Sequence, residues 1–225
     1  MAYRSTERTE QHRAARSAAL VSAGVQLVAA HGFAAATVAE VARRAGVSTG
    51  TVYTYFPEKL ALTAAIFDRA AGIELDVVRA AVGFGAAERR AVPARDRIAM
   101  LVRAFGERAL RGRTLAMALL FEPADVAVER ERLIFRRAYA ATVTEILADG
   151  MAEGSLPEQR LDLIAPAIVG ALGEAFIRPL SPPVDATSAD GAETRAVLDE
   201  IVSATQRLAG FAVAPRPTPA RAYPR

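Results

Sequence analysis

The 225 residues contain no cysteine and no tryptophan, only two histidines, and a single lysine. Without cysteine there is no disulfide framework, thiol nucleophile or thiolate metal site. His12 and His31 both lie near the N-terminus, so a His-rich metal cluster is excluded and a Ser/His catalytic arrangement has little support. Ser22, Ser48, Ser155, Ser181, Ser188 and Ser203 stand in no nucleophile-elbow context. Neither a phosphate-binding glycine loop nor a dinucleotide fingerprint is present. The carboxylates of Glu129 and Glu131 sit in a charged run and read as solvated. The expectation is therefore no enzyme, no catalytic residue, no metal site and no cofactor. Arg4, Arg8, Arg13 and Arg16 are followed by no apolar stretch of the signal-peptide kind. No continuous apolar run reaches the ~18 residues of a membrane span. A soluble, cytoplasmic protein with no membrane partner is expected.

Hydrophobic residues make up 52% of the chain, enough for a sizeable core in one or two domains. The net charge is only +3, but its placement is informative. Through residue 60 the basic residues are Arg4, Arg8, Arg13, Arg16, Arg43, Arg44 and Lys59, against Glu7, Glu10, Glu40 and Glu58. The first sixty residues thus carry the whole excess and the rest is near neutral, which marks one end of the molecule as the one suited to a polyanion.

That end contains Thr37 to Lys59, T-V-A-E-V-A-R-R-A-G-V-S-T-G-T-V-Y-T-Y-F-P-E-K. Val38, Val41, Ala42 and Ala45 recur at i, i+3, i+4 and i+7, one face of a helix. Thr37 caps it, with Glu40 placed to complete a capping box, and Gly46 ends it. Ser48 or Thr49 caps a second helix to about Tyr55. Val47 and Val52 face inward. This is helix-turn-helix geometry, whose second helix enters a DNA major groove. The outer face offers the hydroxyls of Ser48, Thr49, Thr51, Tyr53 and Tyr55, suited to phosphate oxygens. Gly50 permits close backbone approach, Pro57 stops the helix, and Lys59 opens the next.

The stretch, with Ala23 and Leu27-Val28-Ala29-Ala30-His31-Gly32-Phe33 before it, resembles the TetR family of one-component transcriptional regulators. The resemblance covers about Leu20 to Leu62. It implies that Thr37, Ser48, Tyr55 and Lys59 contact phosphates, and that Thr49, Gly50, Thr51 and Tyr53 meet base edges or adjacent backbone. These base-reading positions carry small or hydroxyl residues, with no Arg, Gln or Asn fork, so direct base readout is modest and DNA shape contributes more.

The remainder reads as helices only. Residues 1–12 form an arm, with Arg4 and Arg8 within reach of a phosphate or minor groove, and 13–57 form a three-helix DNA-binding domain. A connecting helix from about Glu58 to Val82 carries the stripe Leu60, Ala64, Phe67, Ala71, Glu74 and Val78. Further helices are expected at about 94–110, after a Thr114 cap, and at 124–152, with Arg130, Arg132, Arg136 and Arg137 largely off the apolar face. Another follows Leu161, kinked or delayed by Pro166, and a last one follows a Pro/Asp/Ser/Gly-rich loop at 181–191. The tail 212–225 is Pro-rich and predicted disordered. The fold class is all-α, an N-terminal helix-turn-helix domain and a C-terminal helical ligand-binding and dimerisation bundle over 58–211.

By resemblance, that bundle holds a small-molecule pocket and pairs with a second copy through its last two helices. The nominated wall is Phe67, Phe105, Met117, Phe121, Phe135, Tyr139 and Phe176, with Arg103, Glu107 and Glu122 as polar contacts; each serves ordinary core packing as well. The nominated dimer interface is Leu161, Ile164, Ile168, Leu172, Val197, Ile201 and Leu208, a set that would equally close each subunit's own core. The function expected is a homodimeric repressor on a pseudo-palindromic double-stranded operator, released by a small, largely apolar ligand. The alternative is a DNA-binding activator or architectural factor without ligand control.

Overall fold

The computed structural model describes residues 7–181 and 191–212. They fold into nine α-helices and two 3-10 turns, with no strand among the described residues. The N-terminal unit is α1 (Glu7–His31), a 3-10 turn (Phe33–Ala35), α2 (Val38–Ala45) and α3 (Thr49–Tyr55). Then come α4 (Lys59–Ala81), a second 3-10 turn (Ala87–Ala91), α5 (Ala94–Arg111), α6 (Arg113–Leu120), α7 (Val126–Ala152), α8 (Leu161–Leu180) and α9 (Gly191–Leu208).

Helix α1 begins earlier than the sequence reading has it. Residues 7–12, expected in an arm, are already helical; Arg4, the tail and most of the 181–191 loop lie outside the described residues. Leu20, Gly24, Leu27 and Val28 of α1 are buried as expected, whereas His31 is exposed in the last turn. In α4 the buried face is Leu62, Ile66, Phe67, Ala70, Ala71, Leu75 and Val78, so Leu60, placed in the stripe from sequence, is instead exposed. Helix α6 starts at Arg113 behind Gly112, with no side-chain cap; Thr114 lies two residues past the cap position. Pro166 lies inside α8 in its first turns, where few backbone hydrogen bonds are lost.

Two cores are joined by shared helices. Leu20, Leu27, Val28, Val41, Val52, Leu62 and Ile66 form the smaller one, and Ala118 of α6 reaches into it. The larger core runs through α5, α7, α8 and α9 and includes Val78 and Val82 from the far end of α4 and its exit. Phe67, Ala70, Ala71, Leu119 and Val128 fill the seam between them. One long helix therefore has its first turns in the small core and its last turns in the large one.

The far end of α4 is fixed by a buried ionic cluster. Arg97, 1% exposed, donates through Nε to the Val82 carbonyl (2.9 Å) and through Nη1 to Asp149 (2.7 Å). Arg89 and Arg90 donate to the same carboxylate at 2.8 and 2.9 Å. Burial raises the Asp149 pKa, but hydrogen bonds from Arg97, Arg89 and Arg90 outweigh it and hold the group below its ordinary value.

Helix α8 is long and apolar enough to cross a membrane, with a mean hydropathy of 1.5 and 28% of that window buried. The sequence reading misses this because Asp162, Glu174 and Arg178 interrupt the apolar run. In the fold it is a bundle helix, in contact with α5, α6, α7 and α9.

Candidate DNA-reading head and ligand cavity

The helix-turn-helix is built by two caps and one glycine. Thr37 Oγ1 accepts the Glu40 amide at 3.2 Å. The reciprocal half of the capping box is not made, because the Glu40 carboxylate pairs with Arg43. Gly46 adopts φ +67 at the end of α2, a left-handed conformation that favours glycine. Ser48 caps α3, its Oγ accepting the Thr51 amide at 3.1 Å, and its hydroxyl also bonds that of Thr51 at 2.9 Å. Val52 is fully buried and Val47 packs beside it.

The structure brings the expected DNA-facing positions to one end of the molecule. Thr37, Ser48, Thr49, Gly50 and Lys59 are exposed, as is Tyr53 at 49%; Thr51 and Tyr55 are half-buried. Lys59 is the first residue of α4, and neither its ammonium nor the Tyr53 and Tyr55 hydroxyls have a hydrogen-bond partner among the described residues. A Cβ added at Gly50 would approach nothing closer than Ser48 Oγ at 3.7 Å, so nothing inside the chain requires glycine there. Thr54, absent from the sequence-based set, is also exposed on α3, its hydroxyl donating to the Gly50 carbonyl.

Behind this head, a cavity of about 410 Å3 lies among α4, α5, α6, α7 and α8. Phe67, Phe105, Phe121, Phe135 and Tyr139, all nominated from sequence, line it. The other nominees do not. Phe176 is fully buried behind the wall, edge-on to Phe105 at 5.2 Å. Met117 packs against the large core. Arg103 pairs with Asp199 on the outside, and Glu107 is exposed. Glu122 turns away altogether: its carboxylate accepts the backbone amides of Phe33 (2.9 Å) and Ala34 (3.1 Å), satisfying donors at the start of the 3-10 turn.

The charged residues of the cavity lining (Glu74, Arg108, Arg111, Arg132, Arg136 and Glu174) were missed from sequence. Glu74 and Arg108 form a bidentate pair across the wall, Nη2 to Oε1 at 2.8 Å, and the Glu74 hydrogen bond raises the Arg108 pKa. A lone acid within the α4 apolar stripe was the available signal. Arg132, expected largely off the apolar face, turns inward to the carbonyls of Leu119, Ala118 and Glu122 and to Glu129. Burial, with Glu74 nearby, raises the Tyr139 pKa, keeping it a neutral phenol. Phe67 belongs to both halves of the molecule, lining the cavity and stacking on Phe33 at 6.0 Å.

Of the nominated dimer residues, Ile168 (0%), Leu172 (7%) and Ile201 (9%) lie inside the chain's own core. Leu161, Ile164 and Val197 are half-buried and Leu208 is 43% exposed. The outward face of α8 is instead Leu163, Pro166, Ala167, Ala171, Ala175 and Ile177, with Leu163 58% exposed.

A short recognition helix held by a cap and a glycine turn, joined through a long helix to a helical bundle, defines a helix-turn-helix regulator architecture. Residues 20–66 match the family model described as bacterial regulatory proteins, tetR family. The fold is shared with the fatty acid degradation regulator FadR of Bacillus halodurans, at a TM-score of 0.64 and 22% identity, over 84% of this chain and 95% of that one. FadR of Bacillus subtilis, solved with stearoyl-CoA, has a TM-score of 0.64 at 20% identity over 83% and 97%. RolR, solved with resorcinol, has 0.59 at 21% over 93% and 98%. No curated protein matches the chain. Residues 20–66 are thus similar to that family of bacterial regulatory proteins, and the chain shares the fold of these solved regulators.

Proposed function

We propose that the chain is a ligand-responsive repressor. It binds a pseudo-palindromic operator as a homodimer through α3 and is released when a small, largely apolar molecule enters the cavity. Thr37, Ser48, Tyr55 and Lys59 hold phosphates, while Thr49, Gly50, Thr51 and Tyr53 meet base edges or adjacent backbone. The observation that carries ligand control is the position of the cavity. Four α4 residues line it (Phe67, Ala71, Glu74 and Val78), on the helix that opens with Lys59. Phe121 lines it next to Glu122, which holds the turn leading into α2. An occupant preferring a different spacing of these walls shifts the DNA-binding equilibrium by its differential affinity for the two arrangements. A cavity of about 410 Å3 is within the range of small-molecule sites and favours this reading over an activator or architectural factor without ligand control. Support also comes from the related folds solved with stearoyl-CoA and resorcinol.

Pairing through α8 and α9 is supported by the apolar surface that α8 leaves uncovered. A palindrome reader also needs two copies, because one short helix binds weakly alone.

The test is DNA binding on fragments selected in vitro by the protein itself, at several salt concentrations. Lys59→Ala should weaken binding similarly on all selected sequences and lower the slope of log affinity against log salt by about one. An unchanged slope and affinity would reject the phosphate role of Lys59.

A further inference from the structure

The row of side chains that docks α1 on the rest of the head changes character along the helix. Leu20, Gly24 and Val28 stand four residues apart on one face, and all three are buried. A Cβ at Gly24 would meet Ile66 of α4, so this face looks at the head. Continued toward the N-terminus, the same row reads Arg16, His12 and Arg8. Arg13, three residues before Arg16, flanks it, and Glu10 lies nearly opposite His12 round the helix. The face that is apolar where it meets the chain is basic where it leaves it.

The overhang is long. From Arg8 to Ala19 every residue except Ser17 is exposed, and Leu20 is the first to be buried. At 1.5 Å per residue, Arg8 stands about 18 Å beyond Leu20. The other end of α1 is tied to the bundle, where Phe33 stacks on Phe67 and gives its amide to Glu122. The overhanging end therefore points away from the bundle. So does the Lys59 end of α4, whose last turns lie in the large core.

The overhang buries no apolar side chain, so a surface that meets it is recognised by charge. Residues 8–19 hold Arg8, Arg13 and Arg16 against Glu10 alone. These three guanidinium groups make no hydrogen bond or ion pair among the described residues, whereas Arg43 is paired with Glu40 and Arg44 with Gln26. Arg8 and Arg16 are about 12 Å apart along the helix, the axial length of three to four base pairs. Uncommitted guanidinium groups along a polar rod match a strand of phosphates. A lipid surface fits less well, since it would take an apolar face beside the basic one.

We propose that the overhang of α1 is a second DNA contact, in which Arg8, Arg13 and Arg16 lie along the phosphates flanking the stretch read by α3. This rests on the reading of the head as DNA-binding and adds a flanking contact to it. Phosphate contacts carry no base sequence, so the overhang lengthens the footprint and raises affinity without changing sequence preference.

The test uses the full chain and the DNA fragments it selects in vitro. The triple change Arg8→Gln, Arg13→Gln and Arg16→Gln touches no other part of the chain and should keep the melting temperature. It should lower the slope of log affinity against log salt by roughly 2–3 per bound subunit, equally on all selected sequences. Hydroxyl-radical protection should retreat from the outer flanks of the footprint while the centre stays protected. Arg95→Gln, Arg130→Gln and Arg137→Gln, all exposed on the bundle, remove the same charge and should leave slope and flanks unchanged. A first triple variant with the parent's slope and flanks, or a bundle variant that lowers the slope as much, overturns the proposal. Flanks unmoved on DNA, with binding to phosphatidylglycerol vesicles lost instead, would give the overhang to a lipid surface and overturn it too. Failure of the parent to bind any DNA removes the DNA-reading function and the overhang contact together. A parent that needs Lys59 but not the three arginines removes the overhang contact alone.

Discussion

Glu122, just beyond α6, holds the backbone amide of Phe33, 89 residues earlier in the chain, at 2.9 Å. The contact joins the bundle to the DNA-reading head through one carboxylate, which also takes the Ala34 amide. Gly32 makes room for it. A Cβ there would lie 2.7 Å from Glu122 Oε2, and its φ of +79 is itself left-handed. Glu122→Ala should cost about 1–2 kcal/mol and speed amide hydrogen exchange at Phe33 and Ala34 before the rest of the head. Unchanged protection there would mean the carboxylate does not hold the turn in solution.

The Asp149 cluster gives a pH-dependent stability with a definite sign. The carboxylate is held below its ordinary pKa by Arg97, Arg89 and Arg90 despite burial. Its contribution is therefore complete above the unfolded value of about 4 and is lost as pH falls through the lower folded value. Asp149→Asn should destabilise by about 3 kcal/mol at pH 7, because Arg97 stays buried with only Glu145, at 3.4 Å, as counter-charge. The gap to the parent should narrow in acid, below about pH 4. Denaturant melts across pH measure it, and a gap that stays constant into acid would rule out the ionic account.

Gly24 marks where α1 and α4 pack too closely for any side chain. A Cβ there would fall 2.2 Å from Ile66 Cδ1, and Ile66 is fully buried. Gly24→Ala should cost about 1–3 kcal/mol by overpacking. Adding Ile66→Ala, which removes both Cδ1 and the Cγ1 that would stand 2.5 Å from the new Cβ, should make the double change less costly than the sum of the two single ones, a non-additivity that a double-mutant cycle reads directly.

The subunit interface can be tested on the face that α8 exposes. Leu163→Glu or Ala171→Glu should give monomers in light scattering with the melting temperature little changed. Leu172→Glu should unfold the chain, since Leu172 is only 7% exposed. Dimers that survive both surface changes would place the interface elsewhere.

The helix-turn-helix was legible because its determinants are local. Thr37, Gly46 and Ser48 each act within four residues along the chain, and the structure forms those caps and that turn. The apolar period also located most helices. The cavity was half legible: aromatic spacing on α4, α5 and α7 found Phe67, Phe105, Phe135 and Tyr139. It could not find Glu74 with Arg108, because their pairing depends on how two helices are rotated against each other, 34 residues apart. Glu122 failed for the same reason, its partner being a backbone amide in the other half of the molecule. The α8 residues chosen for a dimer share a period with those facing the core. Periodicity gives the existence of an apolar face, and only packing decides which side of the helix meets its own chain.

One helix of the bundle has consequences on two sides at once. Gly170 and Gly173 of α8 open on the cavity, while Ala167 and Ala171, a fraction of a turn away, are exposed. In a dimer joined on that outer face, a single helix thickness separates the occupant of a cavity from the neighbouring subunit. A ligand pressing on Gly170 then alters the footing on which the second subunit rests. The two cavities would fill cooperatively, and the dose–response of DNA release would be steeper than a simple one-site saturation curve.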